Sequence, residues 1–155
     1  MNPPSLSTLS LSLEQGIAEI RLNRPDKSNA MNDAMWQEIR QAFDWVDATP
    51  EARVAILSGA GRNFCAGIDL TLLAGIQQRI AHPDAARSRE ALRRLILDLQ
   101  DCLSSVERCR KPVLAAIQGA CIGGALDLVT SCDMRYAAAD AVFSAPNHPY
   151  TQALL

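Results

Sequence analysis

Two short apolar runs, each followed by a loop with glycines and then a helical pattern, constrain the fold of this 155-residue chain most. The first run is ARVAILSG at residues 52–59, and the second is VLAAIQG at residues 113–119. Short, largely apolar runs bounded by turn signals are typical of buried strands. Strands that alternate with helices predict an α/β fold built from repeated βαβ crossovers.

The first 50 residues predict a hairpin followed by an amphipathic helix. Residues 6–22 show partial apolar alternation around a Gln-Gly turn, which is typical of a β-hairpin. Apolar residues then recur at helical spacing from Met35 to Val46. Either Asn32 or Asp33 is suited to capping the start of this helix, because both side chains can accept a hydrogen bond from a free backbone N–H.

Further helices and strands are predicted downstream. A short helix is expected over residues 69–76, and an apolar stripe between Leu92 and Val106 predicts the longest helix of the chain. Pro112 cannot continue that helix. Residues 134–145 predict one or two more strands.

Composition excludes several classes of partner. The hydrophobic content of 48% and the length fit one domain with its own core. The net charge is −2 and the basic residues are scattered, so no nucleic-acid or membrane-surface partner is expected. No apolar stretch approaches the roughly twenty residues that span a bilayer, and the N-terminus does not read as an export signal.

The cysteines and histidines do not predict a metal site. The five cysteines form no CxxC pair and no zinc-type spacing with a histidine, and their odd number favours a reducing, cytoplasmic setting. Cys102 and Cys109 lie on the long predicted helix, where we expect them to pack rather than react. His82 precedes a proline and His148 lies in a loop-like tail, so neither is a good candidate for a catalytic base.

Two stretches that lead from a predicted strand into a helix, FCAGIDL at 64–70 and ACIGGALDL at 120–128, are the candidate ligand-binding segments. Small residues at a helix N-terminus let a ligand oxygen approach backbone N–H groups that have no intrahelical partner. Such a site suits a phosphate or the oxyanion of an enolate. A plainer interpretation also fits these residues: Gly123 and Gly124 would only allow close packing, and Asp127 would be a surface acid.

Other ligand motifs do not fit the sequence. The glycines at positions 59 and 61 fail as a dinucleotide fingerprint, because Phe64 stands where the third glycine is required. The sequence also contains no GK[ST] phosphate loop, no HExxH zinc motif and no GxSxG nucleophile elbow.

Three stretches in order, LNRPDKSNAMN, FCAGIDL and ACIGGALDLVTSCDMRYAAADAVF, resemble the crotonase, or enoyl-CoA hydratase/isomerase, superfamily. The likeness runs from about residue 8 to residue 144, and the wording of the last two stretches resembles the Δ3,5-Δ2,4-dienoyl-CoA isomerase branch most. The resemblance implies a crotonase-like spiral of βαβ units, incomplete at its C-terminus. It also implies a homotrimer or hexamer, and no separate cofactor, since coenzyme A is part of the substrate.

The resemblance implies an acyl-CoA thioester site on named residues. The thioester carbonyl oxygen would lie between the backbone N–H groups of Ile68 and Gly124, with Gly123 keeping the approach open. Asp127 would be one carboxylate of the pocket. The remaining expected substrate contacts, along the thioester and the CoA arm, are Ala66, Gly67, Asp69, Leu70, Lys27, Ser28 and Ala30.

The sequence departs from the family where two further proton-transfer acids are expected. Alignment without gaps from Asp127 places Asn147 and Leu155 at those positions. Neither side chain can act as a general base near neutral pH. We therefore assign residues 1–144 to the N-terminal part of the fold and residues 145–155 to an atypical tail. The reaction expected of the parent enzyme is dienoyl-CoA isomerisation through an enolate. The alternative is a non-catalytic remnant that binds acyl-CoA or associates with intact family members.

Overall fold

The computed structural model of the protein describes residues 3–143. In chain order the strands are β1 (Leu9–Glu14), β2 (Ile17–Leu22), β3 (Val54–Gly59), β4 (Val113–Ile117), β5 (Ala120–Cys121), β6 (Met134–Ala137) and β7 (Val142–Phe143). The α-helices are α1 (Asp33–Ala48), α2 (Leu70–Ile80), α3 (Ala85–Arg108) and α4 (Gly124–Thr130), and a 3₁₀ turn covers Pro25–Lys27. The predicted α/β class is confirmed.

A five-stranded sheet with the strand order β1-β2-β3-β4-β6 organises the fold. β1 and β2 form the predicted antiparallel hairpin, whereas β2, β3, β4 and β6 run parallel. A helix lies in each crossover between the parallel strands, which confirms the predicted βαβ units. β5 and β7 form a separate parallel pair, so the predicted strand region 134–145 contributes to two different sheets within its described residues.

Helix α1 supplies most of the helical side of the core. It begins at Asp33 because the Asn32 side chain accepts a hydrogen bond from Met35 N at 3.0 Å, which decides between the two predicted caps. One face of the sheet packs on this helix, since alternate strand residues point to the same face. The fully buried residues of α1 and the facing strands include Ile39, Phe43, Val46, Ala18, Ile20, Leu22, Ala55 and Leu57.

Helix α3 has the predicted period but not the predicted burial. Its buried residues, Cys102, Ser105 and Val106, all lie in its C-terminal half. In the N-terminal half, Ile96 is 45% and Leu97 47% exposed. The sequence pattern shows which face of a helix is apolar, but burial also needs a neighbouring element along the whole length. Among the described residues, no helix combines the length and apolar character needed to cross a bilayer.

Several element ends differ from the sequence predictions. Helix α2 continues to Ile80, beyond the expected end at residue 76. Strand β4 stops at Ile117 rather than at residue 119, because Gly119 takes a φ of +55° and turns the chain out of the sheet. Element ends depend on local caps and turns, which hydrophobic spacing does not encode.

Candidate functional site

Three loops meet at one edge of the main sheet. They are the β2 loop (residues 23–31), the β3 loop (residues 60–69) and the β4 loop (residues 118–123). Because β2, β3 and β4 run parallel, their carboxyl ends share an edge, which is where α/β folds usually bind ligands. The predicted site residues all lie in these loops, except for three that belong to helices: Leu70, Gly124 and Asp127.

The β2 and β3 loops are joined by backbone hydrogen bonds that orient Ile68. Met31 N donates to Gly67 O at 2.8 Å, and Asp69 N donates to Met31 O at 3.0 Å. These two bonds place Ile68 opposite Met31 in a parallel bridge. In such a bridge the flanking residues make the bonds, so the N–H and C=O of Ile68 both point away from the β2 loop.

The β3 and β4 loops are joined in the same way, with Gly67 pressed against the turn into α4. Cys65 N donates to Ala120 O at 3.0 Å, and Ile122 N donates to Cys65 O at 3.1 Å. A Cβ atom on Gly67 would lie only 2.6 Å from Ile122 O and 3.4 Å from Gly124 N, and the φ of Gly67 is +86°. Glycine is therefore required where the two loops touch.

The two amide N–H groups selected from the sequence have no acceptor within residues 3–143. The N–H of Ile68 faces away from Met31, and the N–H of Gly124 belongs to the first turn of α4, where intrahelical acceptors are lacking. Gly123 takes a φ of +57°, which lets the chain turn into that helix without a side chain in the way. A ligand oxygen could accept from either amide without displacing an existing hydrogen bond.

Gly124 rests on two buried side chains of the core. A Cβ atom on Gly124 would lie 2.8 Å from Met31 Cε and 3.6 Å from Trp36 Cη2. Met31 is fully buried, and Trp36 is nearly so. The site has two halves: the polar half is the β3 loop around Ile68, and the packed half is the start of α4 at Gly124. Met31 therefore contacts the polar half through its backbone at Gly67 and the packed half through its side chain at Gly124. Close packing, the plainer interpretation of the glycines, is one use of Gly124.

Asp127 lies one turn beyond Gly124, with an exposed side chain. Its carbonyl oxygen accepts a hydrogen bond from Ser131 N at 3.2 Å, while its carboxylate has no partner in the part of the chain that the structure describes. The carboxylate is thus free to meet a ligand. Its role as a pocket acid stays a prediction. Asn147, Leu155 and the rest of the expected tail lie outside the described residues.

The residues expected to contact the CoA arm lie on the outer side of the β2 loop. The Lys27 side chain is exposed, and Ser28 and Ala30 are half-buried. Ser28 has a φ of +48°, and its carbonyl oxygen accepts from Ala66 N at 2.9 Å. The carbonyl oxygen of Ala30 accepts a hydrogen bond from the Arg24 guanidinium. The segment is therefore attached to the β3 loop through Ser28 and to Arg24 of its own loop through Ala30.

Asp69 is held by polar partners that the sequence did not reveal. Its Oδ1 accepts from Thr71 N at 3.0 Å and caps α2, while its Oδ2 accepts from Arg24 Nη1 at 2.9 Å. Hydrogen bonds from Thr71 and Arg24 lower the pKa of this carboxyl to about 2. Its neighbour Leu70 is 75% exposed. Direct contacts of Asp69 and Leu70 with a substrate stay predictions.

The side chains that hold the three loops together were missed by sequence analysis. They are Arg24, Asn29 and Asn63. Asn63 accepts from Ala120 N at 3.0 Å and donates to the Ser28 hydroxyl at 3.1 Å, so it contacts both other loops. Polar loop residues carry no hydrophobic period, and their only signal was that Arg24 and Asn29 belong to the stretch LNRPDKSNAMN.

The thiols near the site are buried and unreactive in character. Cys65 is fully buried, and this burial raises the pKa of its thiol to about 11. All five cysteines are free thiols. Within residues 3–143, no group of three or more His, Cys, Asp or Glu side chains is placed to hold a metal ion.

Solved structures with the same fold define the class of this protein. An enoyl-CoA hydratase/isomerase from Xanthobacter autotrophicus Py2 is similar with a TM-score of 0.79 and 34% identity, over 90% of this chain and 49% of that one. An enoyl-CoA hydratase from Shewanella pealeana is similar with a TM-score of 0.77 and 29% identity, over 89% and 49% of the two chains. The fold is the crotonase fold.

The sequence comparisons agree with the fold. The family model described as enoyl-CoA hydratase/isomerase matches residues 12–150, so the chain belongs to this family. The peroxisomal Δ(3,5)-Δ(2,4)-dienoyl-CoA isomerase of Arabidopsis thaliana is 43% identical over 141 residues, which are 90% of this chain and 51% of that protein. The mitochondrial enzyme of the same name from Homo sapiens is 43% identical over 132 residues, 85% and 40% of the two chains. The chain spans about half the length of these relatives, and its resemblance to this branch is confirmed.

Proposed function

We propose that this chain binds the thioester group of an acyl-CoA, with the amide N–H groups of Ile68 and Gly124 donating to the carbonyl oxygen. One observation carries the proposal: two amides without an acceptor in the described residues lie on either side of Gly67, where the β3 loop touches the turn into α4. The names of the Arabidopsis and human relatives support a CoA thioester as the ligand. Coenzyme A is then part of the substrate, and no separate cofactor is proposed.

The same two donors would stabilise an enolate. When a proton leaves the carbon beside the thioester carbonyl, negative charge develops on the carbonyl oxygen. Donors that are already fixed contribute most at that moment, and removing one typically costs about 10²–10³ in rate in comparable sites. The reaction that we assign to the parent enzyme is the isomerisation of a 3,5-dienoyl-CoA to the 2,4-dienoyl-CoA, with Asp127 as one carboxylate of the pocket.

We expect the 155-residue chain to turn this substrate over slowly. Positioned proton-transfer groups contribute about 10²–10⁴ in rate, and Asn147 and Leu155 stand where two of them are expected. The absorbance of the conjugated 2,4-diene measures turnover, with the full-length Arabidopsis relative assayed in parallel. A rate equal to that of the relative would contradict the assignment of the missing acids.

Binding is tested separately, by calorimetry with a non-hydrolysable acyl-CoA. Gly124→Pro removes one proposed donor, and proline is tolerated at the first position of a helix. Gly124→Ala is the matched control, because it adds a Cβ but keeps the N–H. We expect the Pro variant to bind about tenfold more weakly than the Ala variant, as for the loss of one hydrogen bond. No heat from the wild-type chain at millimolar ligand would contradict the proposal.

A non-catalytic protein that binds acyl-CoA, or that associates with intact family members, is the alternative. The presence of Asn147 and Leu155 where the two acids are expected favours it. Acyl-CoA binding without diene formation is the result that this alternative predicts. Sedimentation velocity, alone and mixed with a full-length relative, tests the homotrimer or hexamer that the resemblance implies.

The proposed location is the cytoplasm, on the basis of the five free thiols. The Arabidopsis relative is named peroxisomal and the human relative mitochondrial, which makes these organelles the competing locations. A fluorescent fusion of the complete gene product, imaged with organelle markers, distinguishes the three.

A further inference from the structure

Asn29 lies between the β2 and β3 loops with its polar atoms fully used. It is 0% exposed and takes a φ of +55°. A buried carboxamide is costly unless its donors and acceptor are paired. Its Oδ1 accepts from Arg24 N at 2.9 Å, and its Nδ2 lies 2.9, 2.9 and 3.0 Å from the carbonyl oxygens of Ala60, Asn63 and Phe64. One side chain therefore fixes the whole first half of the β3 loop.

The chemistry of these partners fixes the orientation of the carboxamide. Three backbone carbonyls can only accept, so the NH₂ group must face them, and the amide of Arg24 can only donate, so the oxygen must face it. An aspartate at position 29 would place an acceptor against three acceptors. Asparagine also tolerates the left-handed backbone better than most residues do. Both requirements are met by the same residue type.

Asn29 is connected to the amide of Ile68 through a buried thiol. The Cys65 thiol donates to the backbone carbonyl of Asn29 at 3.1 Å and accepts from Gly67 N at 3.3 Å. The side chain of Asn29 holds the Phe64 carbonyl, which shares a peptide plane with the N–H of Cys65. The carbonyl of Gly67 belongs to the same peptide plane as the N–H of Ile68, and Met31 holds that carbonyl at 2.8 Å. The direction of the Ile68 N–H thus depends on a continuous set of contacts that begins at Asn29.

We infer that Asn29 is a positioning residue that aims the Ile68 amide at the thioester oxygen. The inference rests on the proposed function and deepens it, by naming the side chain that keeps one of the two donors in place. Asn29 itself does not reach the ligand. Its loss should therefore weaken the polarisation of the carbonyl without removing any contact to the CoA arm.

Infrared difference spectroscopy of a bound acyl-CoA, carrying ¹³C at the thioester carbonyl, measures that polarisation directly. Hydrogen bonds from the two amides lower the carbonyl stretching frequency. Asn29→Gly deletes the carboxamide but keeps the backbone freedom that a positive φ requires. We expect this variant to lose roughly half of the wild-type downshift and to bind the acyl-CoA about tenfold more weakly.

Glu38→Ala is the matched control. Glu38 is another buried polar residue, whose carboxylate accepts from Ser7 N and Thr8 N, both at 2.8 Å, in the segment that leads into β1. Its loss should lower stability while leaving the downshift complete. Cys65→Ala interrupts the contacts between Asn29 and Gly67 and should give an intermediate downshift. Cys65→Ala also tests the positioning role if Asn29→Gly does not fold.

The outcomes separate the inference from the function on which it rests. A complete downshift in folded Asn29→Gly, or in Cys65→Ala when the former does not fold, would overturn the positioning role. An equal loss of downshift in Glu38→Ala would also overturn it, because general stability would then explain the effect. The absence of any downshift in the wild-type chain would instead contradict the proposed thioester site.

Discussion

The two amides of the site are held by different kinds of interaction. Ile68 is oriented by a polar network that includes Asn29 and the thiol of Cys65, whereas Gly124 rests on the side chains of Met31 and Trp36. Hydrogen bonds fix direction and fail when one partner is lost, while apolar packing fixes position and tolerates replacement by a group of similar volume. The two donors should therefore respond to different substitutions.

The largest effect is expected from Gly67→Ala, where the two halves touch. The new Cβ would meet the carbonyl oxygen of Ile122 at 2.6 Å, and the φ of +86° is unfavourable for alanine. Strain and overpacking together should lower the free energy of unfolding by about 4 kcal/mol, measured by urea denaturation. Gly75→Ala, in a helix and with nothing within 4 Å, should instead raise it by about 0.5–1 kcal/mol. Similar stability of both variants would refute the close contact at Gly67.

Met31→Ala tests the packed half alone. It removes a fully buried side chain from beneath Gly124 but keeps the backbone bonds of Met31 to the β3 loop. Deletions of this kind typically cost about 3 kcal/mol, whereas Met31→Leu should cost less than about 1.5 kcal/mol. Urea denaturation and the carbonyl downshift should both be rescued by leucine. A leucine variant as damaged as the alanine variant would mean that Met31 does more than fill volume.

The smallest effect is expected in the polar half, from Asp69→Asn, and it depends on pH. Because its folded pKa is about 2 against an ordinary 3.8, Asp69 stabilises the fold above about pH 4, and this contribution disappears as the pH falls towards 2. Asparagine keeps the helix cap but loses the charge that faces Arg24. The difference in unfolding free energy between wild type and variant should therefore shrink with acidification.

Asp47→Asn provides the control for that pH dependence. Hydrogen bonds from Arg110 lower the pKa of Asp47 to about 2, and this pair lies at the ends of α1 and α3, outside the three loops. The control should show the same loss of stability with falling pH but leave the carbonyl downshift unchanged. A pH-independent difference for Asp69→Asn would indicate that the ion pair with Arg24 contributes nothing.

Sequence reasoning succeeded where packing decides the structure. The hairpin, helix α1, and strands β3 and β4 follow from apolar spacing, because buried side chains must repeat with the period of their element. The helix stripe on α3 was also found, but the exposure of Ile96 was not, since a pattern does not say whether a neighbour covers it.

The candidate site was predicted from the sequence, and its role stays a prediction. The family motifs led to Ile68 and Gly124, and both amides lack an acceptor among residues 3–143. The hydrogen bonds that hold these loops were not predicted, because Asn29 bonds to Phe64, thirty-five residues further along the chain. Contacts between residues so far apart in sequence depend on how the strands bring the loops together. The identity of a polar residue does not indicate that it will be buried.

Because Cys65 is buried, the opening of the β3 loop can be measured without any added label. With a thiol pKa of about 11 and no exposure to solvent, this cysteine can be alkylated only when the loop opens. The rate of alkylation, divided by that of a free thiol, then gives the equilibrium constant for opening when reclosing is fast. The alkylation rate of Cys65 thus reports how often the β3 loop opens, which is the fluctuation that would release the Ile68 amide.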